Sequence, residues 1–542
     1  MHLISDLIAR LRRNEDGYTM IAVVGMIALV TTLVGAALAA TNGDLRLVRR
    51  DLDDKRALAA AQAGIADYSY HLNNDTGYWT RCTNVPTPHA VNQQGSTANR
   101  RAVPGSTEGE TYAIELLPAS GQSSCSTGDP VGSMLEQSGP NTGTFRIRST
   151  GYAGNTRQSV VASYEQASFL DFIYFTQLET SDPVTYGFAN PSAALTGAYE
   201  QCERLRREGR ESAPIPNSGG VYCTRIVFVT GDAIDGPLHT NDDLLICGTP
   251  SFGRSSADVI EVSAPPVGWA SGNCGGGGAN PNFIGPFTTN APVLTPPPTN
   301  TQLRTIAGPT ATYTGQTSIS LSGSSMTVTN GGSTTGPLPV PSSGVVYIQN
   351  GAGCSSSYSP FTATYPATSG CGNAVVRGTG GYTSQLTIAA ENDVIIEDDL
   401  IRSGNGLLGL IANNFVRVKH PICPSANAGC SNGTITSQTG AGNCNGGVNG
   451  TGAQSDLRID AAILAIDHSF IVDHYDCGAP LGELEVNGAI AQKFRGPVGT
   501  TRPTGYIKDY NYDDRLRYLE PPHFFDPVEA AWHIQRETLD FP

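Results

Sequence analysis

Residues 17–43 contain no charged side chain, and this run restricts the fold more than any other feature of the chain. It holds Tyr18, Met20, Ile21, Val23, Val24, Met26, Ile27, Leu29, Val30, Leu33, Val34 and Leu38. About 24 such residues in a helix span roughly 36 Å, enough to cross the hydrocarbon core of a bilayer. Arg10, Arg12 and Arg13 stand just before it. That excess of positive charge assigns the short leader to the cytoplasm and the rest of the chain to the outside. Cleavage at the small-residue site around Ala37-Leu38-Ala39 would instead make the run a secretory signal, but signal cores are about 7–15 residues long. The sequence therefore predicts a single-pass cell-membrane protein, or one carried into a surface pilus, that contacts the membrane through residues 18–41.

Helical character continues past the apolar run. Over residues 44–72 there is no proline and no turn cluster. Asp51 and Lys55 are four apart, and Leu45, Val48, Leu52, Leu58 and Ile65 fall on one side, so one long rod, amphipathic outside the membrane, is expected.

The leader Arg12-Arg13-Asn14-Glu15-Asp16-Gly17 followed by Tyr18-Thr19-Met20-Ile21 resembles the class III signal of type IV pilins and type II secretion pseudopilins. In that family a prepilin peptidase cuts after the glycine, which by resemblance is the bond between Gly17 and Tyr18. Ala59-Ala60-Ala61-Gln62-Ala63-Gly64-Ile65-Ala66 is similar to the alanine-rich stretch of PilX-type minor pilins. The resemblance covers about 70 residues and, more weakly, residues 145–164. It implies other pilin-like subunits and a prepilin peptidase as partners. Major pilins of the family carry Glu at the fifth mature position, where this chain has Ala22. An apolar filament core makes an unpaired charge costly, and Ala22 cannot neutralise a neighbour's terminal ammonium. The departure resembles minor subunits, or a protein that stays anchored in the membrane.

Beyond the rod the pattern changes. With 63 Gly, 35 Pro and only 15% charged residues in 542, the composition is that of turn-rich extracellular β structure. The length suggests about two to four domains. Tyr112-Ala113-Ile114-Glu115-Leu116, then 145–151 and 159–164, alternate apolar and polar residues as half-buried antiparallel strands do. Later segments repeat an apolar strand, an Asn/Asp turn and a second apolar strand, at 386–396, 407–418, 461–472 and 484–491. Ala390 and Ala412 are 22 residues apart, the length of one solenoid rung, and Ala412 and Ala465 are 53 apart, leaving room for an insertion at 423–452. Residues 263–343, with Gly275-Gly276-Gly277-Gly278 and Pro296-Pro297-Pro298, read as an exposed excursion in which 317–330 forms a hairpin turning at Gly323-Ser324. Asp526-Pro527 followed by helical spacing to Arg536 reads as a capping helix.

The expected fold is thus α+β: leader 1–17, transmembrane and extended helix 18–72, pilin-like head 73–166, first solenoid part 167–262, insertion 263–343, main solenoid 344–504 and C-terminal cap 505–542. The β-rich region is expected to be a right-handed parallel β-helix, with a β-sandwich as the alternative.

Twelve cysteines, Cys82, Cys125, Cys202, Cys223, Cys247, Cys274, Cys354, Cys371, Cys423, Cys430, Cys444 and Cys477, all lie in the exported part. None forms a CxxC pair, so disulfides are expected rather than metal sites. Cys202 with Cys223, Cys247 with Cys274, and Cys354 with Cys371 would staple local loops. Asp467-His468 with Asp473-His474-Tyr475-Asp476, and His239 with Asn241, Asp242 and Asp243, are the candidate polar clusters, and turn capping accounts for both more simply than metal binding. No nucleophile, phosphate-loop or metalloprotease motif occurs. No cofactor is expected, and the balance of 33 basic against 48 acidic residues argues against nucleic acid. The expected function is non-enzymatic, a membrane-anchored minor pilin or pseudopilin-like subunit whose head serves assembly or adhesion by touching a surface glycan or protein. The alternative is a surface-anchored β-helix that binds or cleaves polysaccharide.

Overall fold

The computed structural model describes residues 18–540 except 76, 81, 83–90, 93–99, 127, 137–143, 167, 187–190, 273, 275–277, 356–357, 424–446, 501–503, 518 and 529–531. The leader, Cys430, Cys444 and most of the 423–452 insertion lie outside the described residues. The protein is mostly β, with a long N-terminal helix, a small antiparallel sheet and a large curled sheet. It divides into two units, Met1–Gln137 with Thr144–Glu165 and Trp532–Pro542, and residues 138–143 with Gln166–Ala531.

The first unit is built on one continuous helix, Tyr18–Asn74. Its outer part buries Ala57, Ala60, Ala61, Ile65, Tyr68 and Leu72, a stripe at helical spacing, against the strands Thr111–Leu117 and Phe145–Ala153. The hairpin of Phe145–Ala153 and Thr156–Gln166 is antiparallel, with Phe145 opposite Tyr164. The strand Phe145–Ala153 alternates buried and half-buried residues along its whole length, as a sheet packed on one face does.

A strand, not a helix, closes the chain. Residues 526–536 were expected to form a capping helix, but Trp532–Asp540 is a strand that joins the edge of this small sheet beside Thr156–Gln166. Trp532 supplies the reason. Its ring meets Phe145 edge-on at 4.8 Å and Trp79 at 5.7 Å, and burying that surface in the aromatic core outweighs the weak helical signal. Arg148 adds an ion pair to Asp540 at 2.6 Å.

In the second unit the strands pair mainly in parallel. Among the described residues, one ladder runs through Phe287–Thr289, Ile260–Val262, Leu238–Thr240, Tyr174–Ser181, Pro480–Arg495, Ala462–Ala465, Leu407–Ala412, Gln385–Ala390, Val345–Gln349 and Thr312–Thr314. Ala390 pairs with Ala412, and Ala412 with Ala465, so the 22- and 53-residue spacings are the register itself. Chain order and ladder order differ. The chain enters in the middle at Tyr174–Ser181 and proceeds to one end at Phe287–Thr289. It then resumes at the other end with Thr312–Thr314 and returns to Pro480–Arg495, beside its point of entry.

Two asparagines hold the crossing segment. Asn241 donates to the Leu294 carbonyl at 2.7 Å and accepts the Leu294 amide at 2.9 Å. Asn300, fully buried, donates to the Ala390 carbonyl at 2.7 Å and accepts the Tyr347 hydroxyl at 3.2 Å. A second polar row runs along the ladder, where Asn414 donates to Asn392 at 2.7 Å and Asn392 to Asn373 at 2.6 Å.

Residues 263–343 are not simply an exposed excursion. Within them lie the strands Trp269–Ser271, Asn282–Phe283, Phe287–Thr289 and Thr312–Thr314, and the hairpin of Thr317–Ser322 with Ser325–Asn330. Ile319, Leu321, Met326 and Val328 are buried. Alternation carried by four apolar residues is enough for burial, though the Ser/Thr/Gly background around them reads as loop.

Candidate membrane-anchoring and assembly surface

The helix Tyr18–Asn74 changes character along its length. Met20–Leu38 has a mean hydropathy of 2.5, and none of it is covered by the rest of the protein. Met20 is 75% exposed and Leu33 61%. So many aliphatic side chains left in water would be unfavourable by about 25 cal/mol per Å² of apolar surface, so this stretch requires an apolar environment. At ~1.5 Å per residue its 19 residues measure roughly 28 Å, close to the hydrocarbon thickness. Its polar atoms are satisfied internally: the Thr31 hydroxyl donates to the Ile27 carbonyl at 2.7 Å and Thr32 to the Ala28 carbonyl at 3.0 Å, as a lipid setting demands. Ala22 lies within this exposed stretch and brings no carboxylate to it. Of the processing pair, Tyr18 opens the helix and Gly17 lies outside the described residues.

Farther out the helix is fixed to the sheet by close approach. A Cβ on Gly151 would stand 2.0 Å from the Ala57 carbonyl oxygen and 2.4 Å from the Ala61 nitrogen, and one on Gly64 would stand 2.2 Å from the Ser149 hydroxyl. Helix and strand thus meet backbone to backbone, which only small residues on both sides allow. The alanine-rich run that carries the resemblance thus also packs against the sheet, a role whose sequence signal is the glycine in the facing strand. An ion pair between helix and sheet borders the contact, Arg101 on Asp67 at 2.7 Å. Val48 and Leu52, 63% and 44% exposed, extend the apolar surface past the membrane-length stretch.

The polar clusters in the second unit are internal structure. His239 is buried, with Nδ1 3.1 Å from Glu261 and Nε2 3.1 Å from Asn241. Asp242 binds the Arg210 guanidinium and accepts the amides of Glu179 and Arg206 at 3.0 Å. Asp243 pairs with Arg206 at 2.7 Å, and burial together with the adjacent Asp242 pushes its carboxyl up to about 6 against the pull of Arg206 and Arg225. His468 stacks on Phe415 at 4.2 Å and lies 3.1 Å from Asp182. Burial disfavours its charged form, but Asp182 more than compensates, and its pKa is raised. Asp473 accepts the Tyr358 and Tyr365 hydroxyls at 2.5 and 2.7 Å. His474 and His420 are both buried, and burial lowers His420 to about 4. Among the described residues no group of His, Cys, Asp and Glu is arranged to hold a metal ion.

Disulfides join Cys82 to Cys125, Cys202 to Cys223, Cys247 to Cys274 and Cys354 to Cys371. Cys423 and Cys477 are also disulfide-bonded.

No family model and no curated protein matches the chain. Among solved structures, the chain is similar to the competence-associated pilin ComZ from Thermus thermophilus, at 12% identity over 90% of this chain and 98% of that one, with a TM-score of 0.27. A likeness so loose carries no argument about fold or function, and the reading below rests on the helix and its sheet.

Proposed function

We propose that this is a membrane-anchored, non-enzymatic subunit of the minor pilin or pseudopilin kind, in a type IV pilus-related system, whose large exported head serves assembly or adhesion. One observation carries the reading: a single 57-residue helix that is apolar and bare over a membrane's thickness and buried under an antiparallel sheet beyond it. Such a rod inserts laterally at one end and carries a folded head at the other. The leader before it, cut between Gly17 and Tyr18, supplies the processing step and makes a prepilin peptidase and other pilin-like subunits its partners. Ala22 in place of a carboxylate favours a minor position over the bulk of a filament. Location in the cell membrane with an exported head, or in a surface pilus, follows from the same rod.

For the head, the parallel register with rung-length spacing favours a right-handed parallel β-helix over a sandwich, whose strands pair antiparallel. Its side-chain ladders and disulfides make a rigid presenting surface, suited to contact rather than turnover. Co-expression with a prepilin peptidase tests the proposal. Intact mass is expected to fall by residues 1–17; an uncut N-terminus, or cleavage near Ala39, overturns it.

A further inference from the structure

The loop closed by Cys354–Cys371 covers part of the strands Val394–Arg402 and Val416–Val418 and leaves a cavity of about 180 Å³ between itself and them. Ligand sites for drug-sized molecules run to about 300–1,000 Å³, so this one has room for a single small ring. Its lining is mainly polar, with hydroxyl and amide side chains, one carboxylate and one guanidinium beside Ala363, Pro366, Cys371 and Ile395.

Asp393 and Arg417 lie at its floor, 3% and 5% exposed. Asp393 accepts the Phe415 amide at 3.2 Å, while the donors of Arg417 are incompletely used. Asp473, the other carboxylate near Arg417 at 3.9 Å, already accepts two tyrosine hydroxyls. Arg417 Nε stands 3.3 Å from Asp393, yet it is buried without a hydrogen-bond partner. A guanidinium brings five N–H donors, and a buried donor left without a partner is costly. Such a cost persists where a ligand, water or another group can complete the set. Beside this pair, Asn373 and Asn392 line the cavity as part of the asparagine row, while Thr362 and Thr364 form an exposed rim.

Charge narrows the ligand class. At the floor the guanidinium is matched by the Asp393 carboxylate, with Asp473 buried behind it, so there is no surplus positive charge with which to hold an anion. Donors and acceptors close together, in a space sized for one ring, match the vicinal hydroxyls of a neutral sugar. The disulfide fixes the covering loop in advance, which reduces the entropy lost on binding.

We propose that this cavity binds one neutral sugar residue, through hydrogen bonds from Arg417 and to Asp393 with the asparagine row alongside. The site does not depend on how the helix is anchored or processed.

Saturation-transfer NMR on the full-length protein, held in a detergent without a sugar headgroup, tests this with glucose, galactose, mannose and N-acetylglucosamine as probes and glucuronate and galacturonate as anionic controls. At least one neutral sugar is expected to receive saturation, and more than either uronate. Thr362→Trp, which fills the cavity from its exposed rim, is expected to abolish that transfer at an unchanged melting temperature; if that variant melts lower, Thr364→Trp makes the same block. Absence of transfer to all four neutral sugars, stronger transfer to a uronate, or transfer undiminished in a blocked variant that melts normally overturns the proposal.

Discussion

Gly151→Ala tests the contact on which the first unit is built. The added methyl carbon would lie 2.0 Å from the Ala57 oxygen, 2.4 Å from the Ala61 nitrogen and 2.9 Å from the Ala60 carbonyl carbon, where comfortable contacts are about 3.5–4.0 Å. All three atoms belong to the helix backbone, so no side chain can swing aside. The strand would have to retreat by more than an ångström, yet Gly151 is held in register by Tyr112 on one side and Gln158 on the other. Overpacking of this kind costs about 1–3 kcal/mol, and the upper end applies when both opposing surfaces are backbone. Replacing Gly by Ala returns about 0.4–1 kcal/mol through the unfolded chain. The net loss is about 2 kcal/mol, a fall in melting temperature of roughly 4–8 °C for a unit of this size. Near-ultraviolet circular dichroism of the full-length protein in detergent reads it, since Trp79 and Trp532 sit in this core. Gly25→Ala, with nothing within 4 Å, is the matched control and is expected to melt like the parent. Ser149→Ala should relieve part of the damage of Gly64→Ala, whose nearest obstacle is a side chain, and none of that of Gly151→Ala. A Gly151→Ala protein that melts with the parent would refute the backbone contact and with it the account of the alanine-rich run.

Asn300→Ala strips the Ala390 carbonyl and the Tyr347 hydroxyl of a buried partner and should lower the stability of the second unit by about 1–3 kcal/mol, seen as a lower urea midpoint. Because His420 is lowered to about 4 by burial while its unfolded value is about 6.5, the unfolded chain takes up a proton that the fold refuses; stability should fall by up to ~3 kcal/mol as pH drops between these values, and His420→Asn should flatten that slope. His468, raised by Asp182, works in the opposite sense: its contribution is complete below about pH 6.5 and fades as pH rises through its folded value, so His468→Asn should remove a loss on the alkaline side. Opening the loop between Cys202 and Cys223, 21 residues apart, by a double Ala variant should cost about 3 kcal/mol, measured as a lower melting temperature under non-reducing conditions.

What was legible in the sequence is what short-range periodicity encodes. The uncharged run and the amphipathic continuation define one helix because both signals lie within a few turns. The 145–164 hairpin shows in strict alternation around a glycine turn, and the rung length shows in the spacing of Ala390, Ala412 and Ala465. Even the disulfides Cys82–Cys125, Cys202–Cys223, Cys247–Cys274 and Cys354–Cys371 join cysteines consecutive in sequence. Long-range pairing leaves no such trace. Ile490 sits beside Tyr174 because two separately built halves of the parallel ladder meet there, and no local pattern in either strand names the other.

The same distinction explains the errors. In residues 526–536 the local signal, an Asp-Pro start with helical spacing, is worth a few tenths of a kilocalorie per residue, whereas seating one indole in an existing aromatic core is worth about 1.5–3 kcal/mol. The tertiary term wins, and Trp532–Asp540 is a strand. In residues 317–330 the expected hairpin forms, but it is buried and not exposed: Thr317–Ser322 pairs in parallel with Ala374–Tyr382, and Ser325–Asn330 lies between Thr317–Ser322 and Ser333–Pro339. The sugar-sized cavity belongs with these cases. Its residues come from a disulfide loop, an asparagine corner and the outward side of a strand, at positions 362, 373, 393 and 417. Parallel pairing of Val394–Arg402 with Val416–Val418, 22 residues on, brings 393 and 417 together, so such a site has to be sought across paired strands and not along the chain.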